Sequence, residues 1–178
     1  MIDKIINVLK NDGIIAIPTD TIYGLIGNPK SKLAVEKAYK VKNRDYSKKL
    51  SIFLNDRNKI KDICITNEKI DNFIQNELKN NTIILEKKDK NYLNLISNEF
   101  LGIRIPNNDF LIELLNKYQK PVFATSVNIS GENPCLTYQE VYEKFNNKVD
   151  LIVQNDTKCS GVASKIYRFD GGKIINIR

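Results

Sequence analysis

The sequence predicts an α/β fold: a twisted mixed β-sheet with helices packed against it. Two observations lead there. Short apolar runs of strand length alternate with longer segments whose apolar residues recur at helical spacing. The chain then closes on two adjacent β-type runs around Asp170-Gly171-Gly172, a hairpin pattern.

The elements follow in order. Ile2, Ile5, Ile6 and Leu9 lie at helical spacing, so a helix is predicted over 2–10 and Asn11-Asp12-Gly13 stops it. Ile14 to Ile17 is a buried strand ended by Pro18. Thr19 to Gly24 is read as a strand-to-helix connection. Ser31 caps a helix to Val41, with Leu33, Val35, Ala38 and Tyr39 inside. Leu50 to Leu54 is a strand, Asn67 to Leu78 a helix, and Thr82 to Glu86 a strand. Gly102 to Ile105 is a strand stopped at Pro106, and Asn108 caps a helix over 109–118. Pro121 to Ser126 is a strand. Thr137 and Glu140 form a capping box for a helix to Phe145. Leu151 to Val153, Ser164 to Phe169 and Lys173 to Ile177 complete the strands.

A chain of 178 residues fits a single domain with a real core, expected here over 1–178. No apolar run reaches the roughly 20 residues of a membrane helix, and the first residues lack signal-peptide character. The expectation is a cytoplasmic protein with no membrane association. Cys64, Cys135 and Cys159 form no CxxC pair, so no disulfide framework or zinc site is predicted. There is no histidine. That excludes His-based triads, His-ligated metals and imidazole acid–base chemistry. The net charge of +7 suits an anionic partner, nucleotide or RNA, although scattered lysines are commonly a wet surface.

Polar segments sit at several strand ends, where open α/β sheets bind ligands. Thr19, Asp20, Thr21, Tyr23 and Gly24 offer hydroxyls, a carboxylate and a flexible glycine; they also fit an ordinary turn. Lys42-Asn43-Arg44 places two cations two residues apart. In an extended stretch both face one polyphosphate, while as a helix end they favour the dipole. Ser126-Val127-Asn128 repeats that spacing with a hydroxyl and an amide. Val127 is expected to turn into the core, and Gly131 allows backbone approach to an anion. Neither a Walker A loop nor GxGxxG is present.

As an ordered set, PTDTIYGL, K-N-R, G-I-R-I-P around Arg104, S-V-N-I-S-G and the ending from Ser164 to Arg178 resemble the YrdC-like threonylcarbamoyl-adenylate synthases. The resemblance spans nearly the whole chain and is to the short, single-domain members. It implies a twisted sheet with an open, positively lined cavity. It also implies condensation of L-threonine, bicarbonate or CO2, and ATP to threonylcarbamoyl-AMP and pyrophosphate, with Mg2+ accompanying ATP. A partner transferase would pass the group to tRNA beside the anticodon, and tRNA itself is a possible ligand.

By that resemblance Thr21, Arg104, Ala124 and Ser164 would contact L-threonine, with Arg104 on its carboxylate. Arg44, Lys48, Ser126 and Arg178 would contact ATP, and Lys42 and Asn128 would complete the phosphate cradle. Lys42, Arg44, Ser126 and Asn128 would form the catalytic set. The chain departs from the common pattern at Asp45, Lys49, Thr125 and Lys165, and Phe53 stands where many members have histidine. Two rival readings are a non-catalytic double-stranded RNA or tRNA-binding module and a carbamoyl-phosphate enzyme of hydrogenase maturation. The chain lacks RNP-type aromatics and zinc-binding Cys/His segments, which those readings would favour.

Overall fold

The computed structural model describes residues 1–170 and 172–178. Gly171, in the expected closing turn, lies outside the described residues. The helices are α1 (Ile2–Lys10), α2 (Lys32–Lys42), α3 (Ile60–Ile63), α4 (Glu68–Asn76), α5 (Asp109–Tyr118) and α6 (Tyr138–Phe145). The strands are β1 (Ile15–Pro18), β2 (Tyr23–Gly27), β3 (Ser51–Phe53), β4 (Thr82–Glu86), β5 (Phe100–Arg104), β6 (Val122–Ser126), β7 (Leu151–Ile152), β8 (Ile166–Asp170) and β9 (Lys173–Asn176). They form one mixed sheet in the order β7-β1-β2-β6-β3-β5-β4-β8-β9.

Local chemistry sets the helix starts. The side chains of Ser31, Asn67 and Asn108 accept the backbone N–H three residues on, each cap contributing about 1 kcal/mol. Thr137 does the same for Glu140 N–H, but Glu140 reaches back to Leu136 N–H, one residue beyond the expected capping box.

Alternation along the strands divides the core in two. Ile14, Ala16, Leu25, Ile52, Ile83 and Ile103 pack with α2, α4 and α6. Ile15, Ile17, Ile26, Phe53, Val122 and Ala124 face the other way and pack with α1 and α5. Phe53 and Ala124 of this second face also line an open cleft.

One element differs from expectation in a way that matters. The segment after Pro18 does not lead into a helix. It turns at 19–22 and returns as β2, antiparallel to β1 with Pro18 opposite Tyr23. Gly24 is therefore a strand residue, opposite Ser126 of β6. The turn is closed by Thr19, whose Oγ1 accepts from the backbone of Thr21 and Ile22 and donates to the Ile22 carbonyl at 2.7 Å. Two glycines in Tyr23–Gly27 weaken the strand pattern, and pairing on both sides overrides that weakness. A 3-10 turn at Arg57–Lys59 leading into α3 was also not anticipated.

Gly102 of β5 lies opposite Ser51 of β3. A Cβ there would stand 2.4 Å from Ser51 Oγ, so the missing side chain leaves room for a hydroxyl that lines the cleft. No helix of the described residues is long and apolar enough to cross a membrane.

Candidate functional site

The cleft is built from three bonded groups. The first surrounds Arg44. Helix α2 ends when Asn43 adopts the left-handed conformation (φ 47°) and Arg44 N–H bonds back to the Tyr39 carbonyl at 3.0 Å. That reversal separates the two cations of the K-N-R segment, which is not extended as anticipated. Arg44 turns into the cleft. Its Nε donates to the Lys48 carbonyl at 3.0 Å and its Nη2 to the Lys49 carbonyl at 3.1 Å. Tyr39 hydroxyl donates to the same Lys48 carbonyl, fixing the loop. Burial lowers the Arg44 pKa from its usual value, but a guanidinium keeps its charge. Lys48 thus serves through its backbone while its side chain is exposed, and Lys49, unassigned from sequence, lines the cleft.

Lys42 points the other way and is buried. Its ammonium donates to the Ser126 carbonyl, to the Asn128 carbonyl at 3.1 Å and to Asn128 Oδ1 at 2.8 Å. Burial first, and then the Arg44 charge, pulls its pKa down to about 7. Asn128 Oδ1 also accepts from Ser126 Oγ at 2.6 Å, and its Nδ2 donates to the carbonyls of Ile129 and Glu132. Neither Lys42 nor Asn128 is among the cleft-lining residues; Ser126 is. Val127 is buried in the core as anticipated. Ser126 and Asn128 do share a side, but Asn128 stands behind Ser126 and does not face the cleft. Gly131 has φ 94°, the freedom expected of it, yet it does not line the cleft either.

These contacts divide the expected effects of substitution. Lys42→Met leaves three oxygens short of a donor and should lower stability by about 2–5 kcal/mol. Asn128→Ala should lower the melting temperature for the same reason. Ser126→Ala removes one bond and should cost about 1 kcal/mol or less. Thermal melts of the three variants check the order.

The second group is the Arg104 pair. Arg104 and Asp20 are almost enclosed, their side chains 7% and 11% exposed, and Arg104 Nη2 donates to Asp20 Oδ2 at 2.6 Å. Arg104 Nη1 donates to Thr21 Oγ1 at 2.9 Å. The Phe53 ring lies 5.7 Å from the guanidinium, a cation–π contact. Asp20 was legible only as part of a polar turn; the ion pair spans 84 residues of sequence.

The third group joins the chain's end to β4. Ser164 Oγ lies 3.0 Å from Thr82 Oγ1, and Arg178 Nη2 donates to the Ser164 carbonyl at 3.0 Å. Thr82 was not singled out from sequence. Together the structure brings Thr21, Arg44, Arg104, Ala124, Ser126, Ser164 and Arg178 to one cleft. Arg44, Lys49, Arg104 and Arg178 supply its cations, Arg104 paired from behind with Asp20, and no Asp or Glu is among the described lining residues.

The sequence profile of the Sua5/YciO/YrdC family, described as Telomere recombination, matches residues 7–178. The chain belongs to this family. A relative from Methanocaldococcus jannaschii is 33% identical over 98% of this chain and 85% of its own length. A threonylcarbamoyl-AMP synthase from Buchnera aphidicola is 32% identical over 94% of this chain and 98% of its own. The crystal structure of P. abyssi Sua5 complexed with L-threonine superposes with a TM-score of 0.88 at 21% identity. That likeness covers 99% of this chain and 53% of the Sua5 chain, and it establishes the shared fold. In this chain the residues singled out from sequence lie on the β1–β2 turn, the α2 end, β5, β6 and the approach to β8.

Proposed function

We propose that this protein is an L-threonylcarbamoyladenylate synthase. The observation that supports it best is the cleft itself, where four cationic side chains and several hydroxyls converge with no Asp or Glu among the described lining residues. Such a lining suits a polyphosphate and an amino-acid carboxylate together.

Arg44, Ser126 and Arg178 contact ATP, and Lys49 adds charge at the same loop. Lys42 and Asn128 hold Ser126 and the loop behind it rather than touching phosphate. Lys48 holds Arg44 through its carbonyl. Thr21, Arg104 and Ser164 receive L-threonine, with Ala124 as part of the floor.

The reaction needs no side-chain nucleophile. Threonine's ammonium gives one proton to water, the free amine forms an N–C bond to CO2 as one C–O π pair moves onto oxygen, and loss of a second proton from nitrogen to water leaves the carbamate anion. A carbamate oxygen then attacks the α-phosphorus, the bond to the β-phosphate oxygen breaks, and its electron pair leaves with pyrophosphate. The barrier lies in bringing anions together and in charge growing on the leaving group. Fixed cations lower both, and one cleft supplies proximity. A chain without histidine is suited to that task. Among the described residues no group of three or more His, Cys, Asp or Glu side chains is placed to hold a metal ion, and Mg2+ would arrive with the triphosphate, held mainly by its oxygens.

The product is a reactive mixed anhydride, consumed by a transferase acting on tRNA in the cytoplasm. Pyrophosphate release should require threonine, bicarbonate and ATP together, falling to background when any one is omitted. Release that continues without threonine would count against this reading.

A further inference from the structure

Asp20 has no role in the reaction as described, yet it is tied to the residue on which threonine recognition depends. We infer that Asp20 is a positioning residue for the amino-acid end of the cleft, holding the Arg104 guanidinium in the orientation that receives the substrate carboxylate. The inference rests on the synthase reading above.

The geometry is specific. Two of the three guanidinium nitrogens are fixed by neighbouring residues of one turn: Nη2 by Asp20 Oδ2 and Nη1 by Thr21 Oγ1. A planar group tied at two nitrogens cannot rotate about its stem. Arg104 Nε and Asp20 Oδ1 are both buried without a hydrogen-bond partner, so the pair is not arranged to maximise its own bonding. A buried ion pair is a poor device for stability, since apolar residues of similar size commonly do as well or better. What the pair does provide is a guanidinium held at the cleft wall.

The fixed donor also reaches the hydroxyls beside it. Thr19 Oγ1 donates to the Ile22 carbonyl, accepts from the Thr21 and Ile22 N–H groups, and lies 3.0 Å from Thr21 Oγ1. Thr21 Oγ1 accepts from Arg104 Nη1, so the guanidinium and this hydroxyl hold each other at the cleft wall. The turn that bears Asp20 is braced independently: Ser160 N–H donates to the Asp20 carbonyl and Gly161 N–H to the Thr21 carbonyl. These backbone bonds survive any change of the Asp20 side chain.

The test uses Asp20→Asn and Asp20→Ala in the full chain. Asn keeps the size and an acceptor for Nη2 but removes the charge; Ala removes both. The threonine KM should rise on the order of tenfold in the Asn variant and a hundredfold in the Ala variant, following the loss of a charge-assisted and then of any bond. The ATP KM and the kcat at saturating threonine should stay within about twofold for Asn, because the charge change is confined to the threonine end. Calorimetric binding of threonine without ATP should weaken in the same order. An Asn variant with the wild-type threonine KM, or one that binds threonine more tightly because Arg104 is released, would overturn the inference. An Asn variant that fails to fold would assign Asp20 to the fold and overturn it too. A wild-type chain that neither binds threonine nor releases pyrophosphate would instead refute the synthase reading.

Discussion

Arg44→Ala should remove most pyrophosphate release while leaving a folded protein. The side chain's own structural bonds are two, to the Lys48 and Lys49 carbonyls on an exposed loop, so their loss should cost about 1 kcal/mol of stability. The loss to catalysis is larger. A charge-assisted bond to phosphate contributes about 1.5–3 kcal/mol, which is roughly 10–150-fold in rate when it is stronger in the transition state. In the proposed reaction charge builds on the departing pyrophosphate, so Arg44 would act most strongly there. A pyrophosphate-release assay beside a thermal melt checks both parts. Wild-type turnover by a folded Arg44→Ala protein would remove Arg44 from the site.

Arg104→Ala should be the most damaging single change, and it should act twice. It deletes the cation proposed for the threonine carboxylate. It also leaves the Asp20 carboxylate enclosed with no counter-charge, which costs about 3–5 kcal/mol. The sequence points only to the first effect; the second follows from the enclosure of the pair. The two separate in a double variant. Asp20→Asn with Arg104→Met removes both charges, so the double variant should be destabilised by less than the sum of Asp20→Asn and Arg104→Met alone, while threonine use stays lost. Melting temperatures of the two singles and the double, with threonine-dependent turnover at each, give the answer. Additive melting shifts would mean that the pair is not coupled.

Much of the fold was legible because the deciding forces are local. Ser31, Asn67, Asn108 and Thr137 announce helix starts through bonds spanning three residues, and each is a cap in the structure. Alternating apolar residues announce strands. The β1–β2 hairpin was not legible because Tyr23–Gly27 carries two glycines and gains its strand character from β1 and β6 on either side. Lys42 and Arg44 do not share a side, for a different reason. A two-residue spacing puts side chains together only in extended backbone, and a left-handed Asn43 ends that relation. Asn128 reads like a ligand-facing amide until its four bonds to Lys42, Ser126, Ile129 and Glu132 are seen. Ser51 and Thr82 reach the cleft through strand register with Gly102 and Arg104, which no local pattern encodes.

The most direct measurement supplies 13C-labelled bicarbonate with threonine and ATP and identifies the product by mass. The expected result is one labelled carbon in a molecule joining threonine to AMP, formed in step with pyrophosphate and absent when threonine is left out. AMP or pyrophosphate produced without the labelled adenylate, or salt-sensitive RNA binding with no turnover at all, would contradict the synthase reading.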